Sequence, residues 1–255
     1  MGGGSIMPRF FVENENILGE KIVIGGEDAK HISLSLRARV GEKITACDGK
    51  GVDYECEISD ITKNEVTLSV LEKKNSETEP DIEVTLYQAL VKSDKFDFIV
   101  QKCTELGVTK IVPVVTDRCI SKPDDASLAK KLVRWNKIAK EAAMQSGRGH
   151  IPTVENAVSF DEALAGLKRT DCGFLCYESN PHTAIDEIYN KCKEKGSIKT
   201  CAFLVGPEGG ISEKEAEKTM GEGISLASLG PRILRTETAP LCVMSAVMLM
   251  SGNMT

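Results

Sequence analysis

The sequence predicts a two-part α/β protein, a small N-terminal β-barrel followed by a larger domain built on a parallel sheet. Three observations carry this reading. Between about residues 9 and 71, short runs alternate apolar and polar residues, broken by turns at Asp48-Gly-Lys-Gly51 and Lys63-Asn64. From residue 82 the rhythm changes to apolar runs that alternate with helical spacing, the pattern of βαβ units. Between the two, residues 73–81 are polar and carry Pro80, which makes them a natural linker. The predicted divisions are a barrel over 7–72, the linker over 73–81 and the α/β domain over 82–255.

Taken in order, residues 1–6 (Met-Gly-Gly-Gly-Ser-Ile) read as a leader or remnant ahead of Met7 and are left out of the fold. Strands are expected at 10–12, 21–24, 42–47, 54–58 and 66–71, with one short helix at 27–36 leading into Arg37 and Arg39. In the second part, Ile82, Val84 and Leu86 alternate as a strand. Phe96, Ile99, Val100, Cys103 and Leu106 then follow helical spacing, with Gly107 just past the helix end. A strand at 111–115 leads to a long helix over 127–145, whose inner stripe includes Leu128, Leu132, Trp135 and Ala139; at that spacing Trp135 reads as core. Strands at 174–177, 202–205 and 225–229, with a helix near 184–195, complete a sheet of five or six strands. Ser212 and Glu215 have the spacing of a capping box and open another helix. An apolar helix begins near Leu241.

Composition bounds the function. At 255 residues with 41% hydrophobic residues, the chain can bury real cores. The apolar run at 241–250 is too short to span a bilayer, and no signal-like apolar segment leads the chain. Nine scattered cysteines without a C-x-x-C pair fit reduced core thiols, and the reading is cytoplasmic. Three histidines, none at ligand spacing, argue against a metal site. A net charge of −6 means that any nucleic-acid contact must be local. Candidate contacts are Arg9, Lys30, Arg37, Arg39, Lys92, Lys95, Arg118, Lys122 and Arg148.

Two stretches near the C-terminus carry the chemistry, Leu204-Val-Gly-Pro-Glu-Gly-Gly210 and Leu229-Gly-Pro-Arg-Ile-Leu-Arg-Thr-Glu-Thr-Ala239. Each follows an apolar run with a Gly-Pro turn, as expected for strand ends that open into a ligand crevice. Glycines at 206, 209 and 210 are expected to supply positive φ and close backbone approach. The first stretch matches neither the dinucleotide nor the P-loop pattern, and the acidic residues after it disfavour a phosphate guest. The second places Arg232, Arg235 and Glu237 among threonines directly ahead of the apolar helix.

Together with Gln101-Lys-Cys-Thr-Glu-Leu-Gly107, Gln145-Ser-Gly-Arg148 and Pro8-Arg-Phe10, these stretches resemble the RsmE family, SPOUT-class methyltransferases of bacterial 16S ribosomal RNA. The resemblance implies a PUA-like RNA-binding barrel and a SPOUT domain with a deep trefoil knot, its last helix threaded through the loop at 206–210. It also implies a homodimer, S-adenosyl-L-methionine as cofactor, and methyl transfer to N3 of a uridine in 16S rRNA, within the assembled 30S subunit. Carried onto this chain, the cofactor residues are Leu204, Val205, Gly206, Pro207, Glu208, Gly209, Gly210, Leu229, Gly230, Ile233, Leu234, Thr236, Thr238 and Ala239. Arg235 is the expected catalytic cation, with Arg9 as a helper. Glu237 is a base, an orienting group or a structural residue. Arg9, Arg37, Arg39, Lys92, Arg118 and Arg148 are the expected RNA contacts. The alternatives are a SPOUT enzyme for tRNA or a ribose 2′-OH, and an RNA-binding homologue without catalysis.

Overall fold

The computed structural model describes residues 7–120, 124–179 and 182–254; the leader reading at 1–6 and the candidate cation Lys122 lie outside them. The chain divides into two compact units, one of residues up to 79 together with 143–151, the other of 80–142 together with 152 onward.

The first unit holds six strands, β1 (Arg9–Phe11), β2 (Ile17–Leu18), β3 (Lys21–Gly25), β4 (Lys43–Cys47), β5 (Val52–Ile61) and β6 (Glu65–Asn75). They pair in the order β1-β4-β5-β6-β3-β2, antiparallel except for β1 beside β4. A short helix, α1 (Gly26–Lys30), runs on as a π-helical turn over His31–Ser35, so the helix predicted at 27–36 is present but changes its winding. The period-two pattern does its expected work: Ile22, Ile24, Ile44, Val66 and Leu68 turn inward onto Phe10, Ile32 and Ile58, all buried. Two features depart from the sequence reading. The two-residue β2 is too short to leave a periodic signal. β6 takes the first three residues of the predicted linker, because the β5–β6 ladder runs on to Val52 opposite Asn75 through residues that are polar on both faces.

The third departure concerns residues 143–151, which belong with the first unit although they include the end of a helix that lies mostly in the second. Two partly buried ion pairs brace this segment. Arg9 binds Asp53 through both terminal nitrogens, at 2.9 and 2.7 Å, and donates a further bond to the Arg148 carbonyl. Arg148 pairs in turn with Glu79 at 2.6 Å, and Glu79 also accepts the backbone N–H groups of Gly149 and His150. Burial pushes the Glu79 carboxyl up, but Arg148 and these N–H groups outweigh it and hold its pKa below the ordinary carboxylate range.

Removing one partner of a buried pair leaves an uncompensated charge and costs on the order of 3–5 kcal/mol. Arg9→Ala is therefore expected to lower the stability of the folded chain by about 3 kcal/mol, because it strands Asp53, whose side chain is only 5% exposed. Chemical denaturation checks this. For Glu79 the sign is fixed by its depressed pKa: its contribution is complete above the unfolded-state value and is lost as pH falls through the folded-state value.

The second unit begins with β7 (Glu83–Ala89), α2 (Ser93–Glu105), β8 (Lys110–Val115), α3 (Asp125–Gln145), β9 (Thr153–Val154), β10 (Val158–Ser159) and α4 (Phe160–Lys168). It continues with β11 (Cys172–Cys176), β12 (Thr183–Ala184), α5 (Ile185–Lys193), β13 (Thr200–Val205), α6 (Glu213–Gly221), β14 (Ser225–Ser228) and α7 (Ala239–Met250). Every pairing is parallel, in the order β10-β8-β7-β13-β11-β14-β12, with β9 also on β8. The sheet has eight strands rather than five or six, the extra three being two-residue strands.

Helix ends follow the expected rules. Gly107, at φ +93°, closes α2 in a conformation that side chains resist, and a Cβ there would stand 3.3 Å from Met248 Cε. Ser212 and Glu215 form a complete capping box on α6. Trp135 is 1% exposed, stacks on Phe96 at 4.1 Å between centroids, and spends its N–H on Asp97, so it is core. All nine cysteines are free and seven are buried; burial pushes the Cys56 thiol up to about 11, the behaviour of a core residue. Among the described residues, no helix is long and apolar enough to cross a membrane.

Candidate functional site

In a parallel sheet all strands end on one side, and a crevice opens where neighbouring strands lead their loops apart. Here β13 is inserted between β7 and β11, with β14 beyond β11. The glycine loop leaves the end of β13, the arginine loop leaves β14, Tyr177 and Glu178 leave β11, and α2 follows β7. These ends enclose a cleft of about 640 Å³, within the range of small-molecule sites.

Most of the predicted cofactor residues line this cleft: Val205 to Gly210 on one loop, and Leu229, Gly230, Ile233, Leu234, Thr236 and Ala239 on the other, with Arg235 beside them. Leu204, Thr238 and Glu237 do not. Leu204 is fully buried in a separate cluster with Leu175 and Ala216, since neighbouring residues of a strand face opposite sides. Thr238 stands at the N-terminus of α7, where its own N–H is bonded to the Arg235 carbonyl.

A wall that the sequence reading does not contain is formed by Cys176, Tyr177, Glu178 and His182, with Ala227 and Ser228 from β14. Its signal is topological: β11 pairs with both β13 and β14, and no glycine or proline marks its end.

The two predicted loops are stitched together. Thr236 donates its hydroxyl to the Gly206 carbonyl at 2.7 Å and accepts a bond from the buried Gln88 amide at 3.2 Å. On the outer side, Arg118 donates to the Gly209 carbonyl at 2.9 Å, and Asp117 N–H donates to Glu215 of the capping box. Of the three glycines expected to supply positive φ, only Gly210 does so, at +71°. Gly206 and Gly209 instead sit in tight surroundings: a Cβ would meet Ile211 at 3.1 Å in the first case and Arg118 Cβ at 3.3 Å in the second, so a neighbour would have to give way.

Lys95, from the first turn of α2, lies 3.3 Å from Glu208 and 3.4 Å from Glu237. Burial pulls the Lys95 pKa down, but the two carboxylates outweigh it and set it above the ordinary value. For Glu208, burial pushes up and is outweighed by backbone N–H groups and by Lys95, so its carboxyl titrates below the usual range. The charged group that faces Glu237 is thus Lys95.

Of the predicted RNA contacts, Arg37, Arg39, Lys92 and Arg118 are exposed. Arg37 is the only non-glycine residue with positive φ among those described, at 52°, a strained conformation of the kind found at functional tips. Arg9 and Arg148 are ion-paired inside the first unit. Both have spent their charge on the internal pairs with Asp53 and Glu79, which gives them a bracing role in the first unit.

Comparison with known proteins agrees with this architecture. Family models of an RNA methyltransferase domain and of an RNA methyltransferase PUA domain match residues 78–248 and 24–71. A ribosomal RNA small subunit methyltransferase E of Bacillus subtilis is 37% identical, with 94% of this chain and 96% of the relative covered. That of Synechocystis is 28% identical, over 94% and 76%. A crystal structure of a ribosomal RNA small subunit methyltransferase E from Neisseria gonorrhoeae, bound to S-adenosyl methionine, is 33% identical, covers 96% of this chain and 98% of its own, and superposes with a TM-score of 0.85. With matches of this extent across both the PUA and the methyltransferase regions, the chain belongs to the ribosomal RNA small subunit methyltransferase E family.

Proposed function

We propose that the protein methylates N3 of a uridine in the 16S rRNA of the small ribosomal subunit, with S-adenosyl-L-methionine held in the cleft between the two loops. The observation that carries this reading is the convergence of a bare-backbone glycine loop, a second loop bearing an unburied arginine, and acidic side chains on one crevice. The residues suit the cofactor: backbone groups of 206–210 and 229–234 for an adenine, apolar Ile211 and Leu234 around it, and the Glu178 carboxylate as acceptor for ribose hydroxyls. Bound there, it supplies an electrophilic methyl group on a cationic sulfur.

The rest of the chemistry falls to the chain. N3 of uridine is a weakly acidic imide, and as its proton leaves, negative charge spreads onto O2 and O4. A fixed guanidinium beside those oxygens stabilises the transition state more than the ground state. Arg235 is exposed at the cleft wall and suits that role. The same reading carries the threading of α7 through the glycine loop; the Thr236–Gly206 bond ties the segment ahead of α7 to that loop. Exposed Arg37 and Arg39 of the PUA region, with Lys92 and Arg118, are the RNA contacts. The net charge of −6 favours an assembled small subunit over naked RNA, since shape must supplement a weak overall field.

Labelled cofactor tests the reading: binding with methyl transfer to small-subunit RNA supports it, and binding without transfer to any RNA would favour the non-catalytic homologue. A homodimer is also expected. α7 buries Val243, Met244, Val247 and Met248 but leaves Cys242 and Leu249 exposed on its other side, an apolar strip that a second copy would cover. Light scattering at micromolar concentration should give twice the 27.7 kDa chain mass; a monomer mass would contradict it.

A further inference from the structure

Three segments far apart in the chain meet at one ammonium group. Lys95 stands in the first turn of α2, Glu208 in the loop after β13, and Glu237 just ahead of α7. Their side chains are 23%, 23% and 21% exposed, which is low for charged groups. The arrangement also has a direction. Lys95 and Glu208 line the cleft. Glu237 does not, and its Oε2 is buried, facing the Lys95 charge without a hydrogen bond. An exposed ion pair would contribute little, and a cation serving only an RNA phosphate would not be committed to two carboxylates.

Methylation at N3 releases a proton that some group must take. The guanidinium of Arg235 cannot take it, and Lys95 is already protonated between its two partners. Of the acceptors that line the cleft, Glu178 and His182 stand on the β11 side, and since Glu178, His182 and Glu208 are all exposed residues, exposure does not separate them. Glu208 is the acceptor held by a fixed cation.

We propose that Lys95 is a positioning residue for the reaction: anchored on its buried side by Glu237, it fixes the Glu208 carboxylate at the cleft wall, where Glu208 accepts the N3 proton. This rests on the uridine-N3 reading above. The N3–H bond breaks and its proton forms an O–H bond on Glu208. The N3 electron pair forms the new N–C bond to the methyl group, the C–S bond pair stays on sulfur, whose positive charge is discharged, and the proton passes from Glu208 to water. The other charged groups around the trio are Lys92 just ahead of α2 and Asp94 on it, Arg118 on the Gly209 carbonyl, Arg232 and Arg235 on the loop after β14, and Glu178 beside β11.

The test is the pH profile of single-turnover methyl transfer to small subunits from about pH 3.5 to 8, a window that reaches below the ordinary carboxylate range where Glu208 titrates and whose acid limb reports the essential base. Lys95→Met leaves two carboxylates without their cation, so the limb should move up by about one pH unit, and Lys95→Arg should restore it. Glu237→Gln removes the competing carboxylate, so the limb should move down. Titration of the Glu208 carboxyl by ¹³C resonance, in protein without cofactor, should give the same two signs. A role confined to holding the loops in shape would lower rates but leave the limb in place, so parental limbs in both variants would overturn the proposal. If Lys95→Met does not fold, the sign for Glu237→Gln decides. A parent enzyme that places no methyl on N3 overturns both readings, whereas an active parent with unmoved limbs overturns this one alone.

Discussion

Arg235→Ala is expected to keep the fold and most of the affinity for S-adenosyl-L-methionine, yet to slow methyl transfer by on the order of 10²–10³, the usual effect of deleting one preorganised donor to developing negative charge. The side chain is exposed at the cleft, so its removal creates no core cavity. The loop keeps its shape because its bonds come from elsewhere: Thr236 holds the Gly206 carbonyl, and the Arg235 backbone carbonyl, which survives the substitution, accepts the N–H groups of Thr238 and Ala239. Single-turnover rates with saturating cofactor separate this from a binding defect. A near-parental rate would remove Arg235 from the chemistry.

Gly210→Val should act on the other half of the problem, cofactor binding. Position 210 has φ +71°, which costs an L-residue about 1–2 kcal/mol and a β-branched one more. A Cβ there would stand 2.4 Å from Glu178 Oε1, so the carboxylate assigned to the ribose must swing away. The strain alone corresponds to roughly a tenfold loss of affinity if the loop relaxes to relieve it, and displacement of Glu178 adds to that. Calorimetry on folded variant protein is the check, and parental affinity would contradict the assignment of the cleft.

Much of this site was legible before the fold was seen, because its two loops advertise themselves. Gly-Pro turns follow apolar runs at 206–207 and 230–231, and the Ser212–Glu215 spacing marks the next helix. Local signals of that kind survive in a sequence because they act within four or five residues. The same spacing at Ser159 and Glu162 opens α4 with a second complete capping box, but the two-residue β10 before it is too short to announce a βα unit. What stayed hidden was long-range. Arg9 finds Asp53 44 residues away, and Arg148 finds Glu79 across 69; as isolated cations in family-like segments they read as RNA contacts, and only their partners reveal the bracing role. Lys95 likewise read as one of nine candidate nucleic-acid contacts. Glu208 meets it because β7 and β13 are neighbours in the sheet, a pairing that joins strands more than a hundred residues apart, and Glu237 because α7 packs against α2.

The central claim is that this cleft methylates a uridine at N3, and the most direct measurement is the identity of the product. Small ribosomal subunits from cells lacking the endogenous activity would be incubated with the protein and S-adenosyl-L-methionine, and the 16S rRNA digested to nucleosides and analysed by mass spectrometry. A single new species, N3-methyluridine, is expected, absent when the parent protein is replaced by Arg235→Ala over a comparable time. A 2′-O-methylated nucleoside, a base methylated elsewhere, or no new species would contradict it.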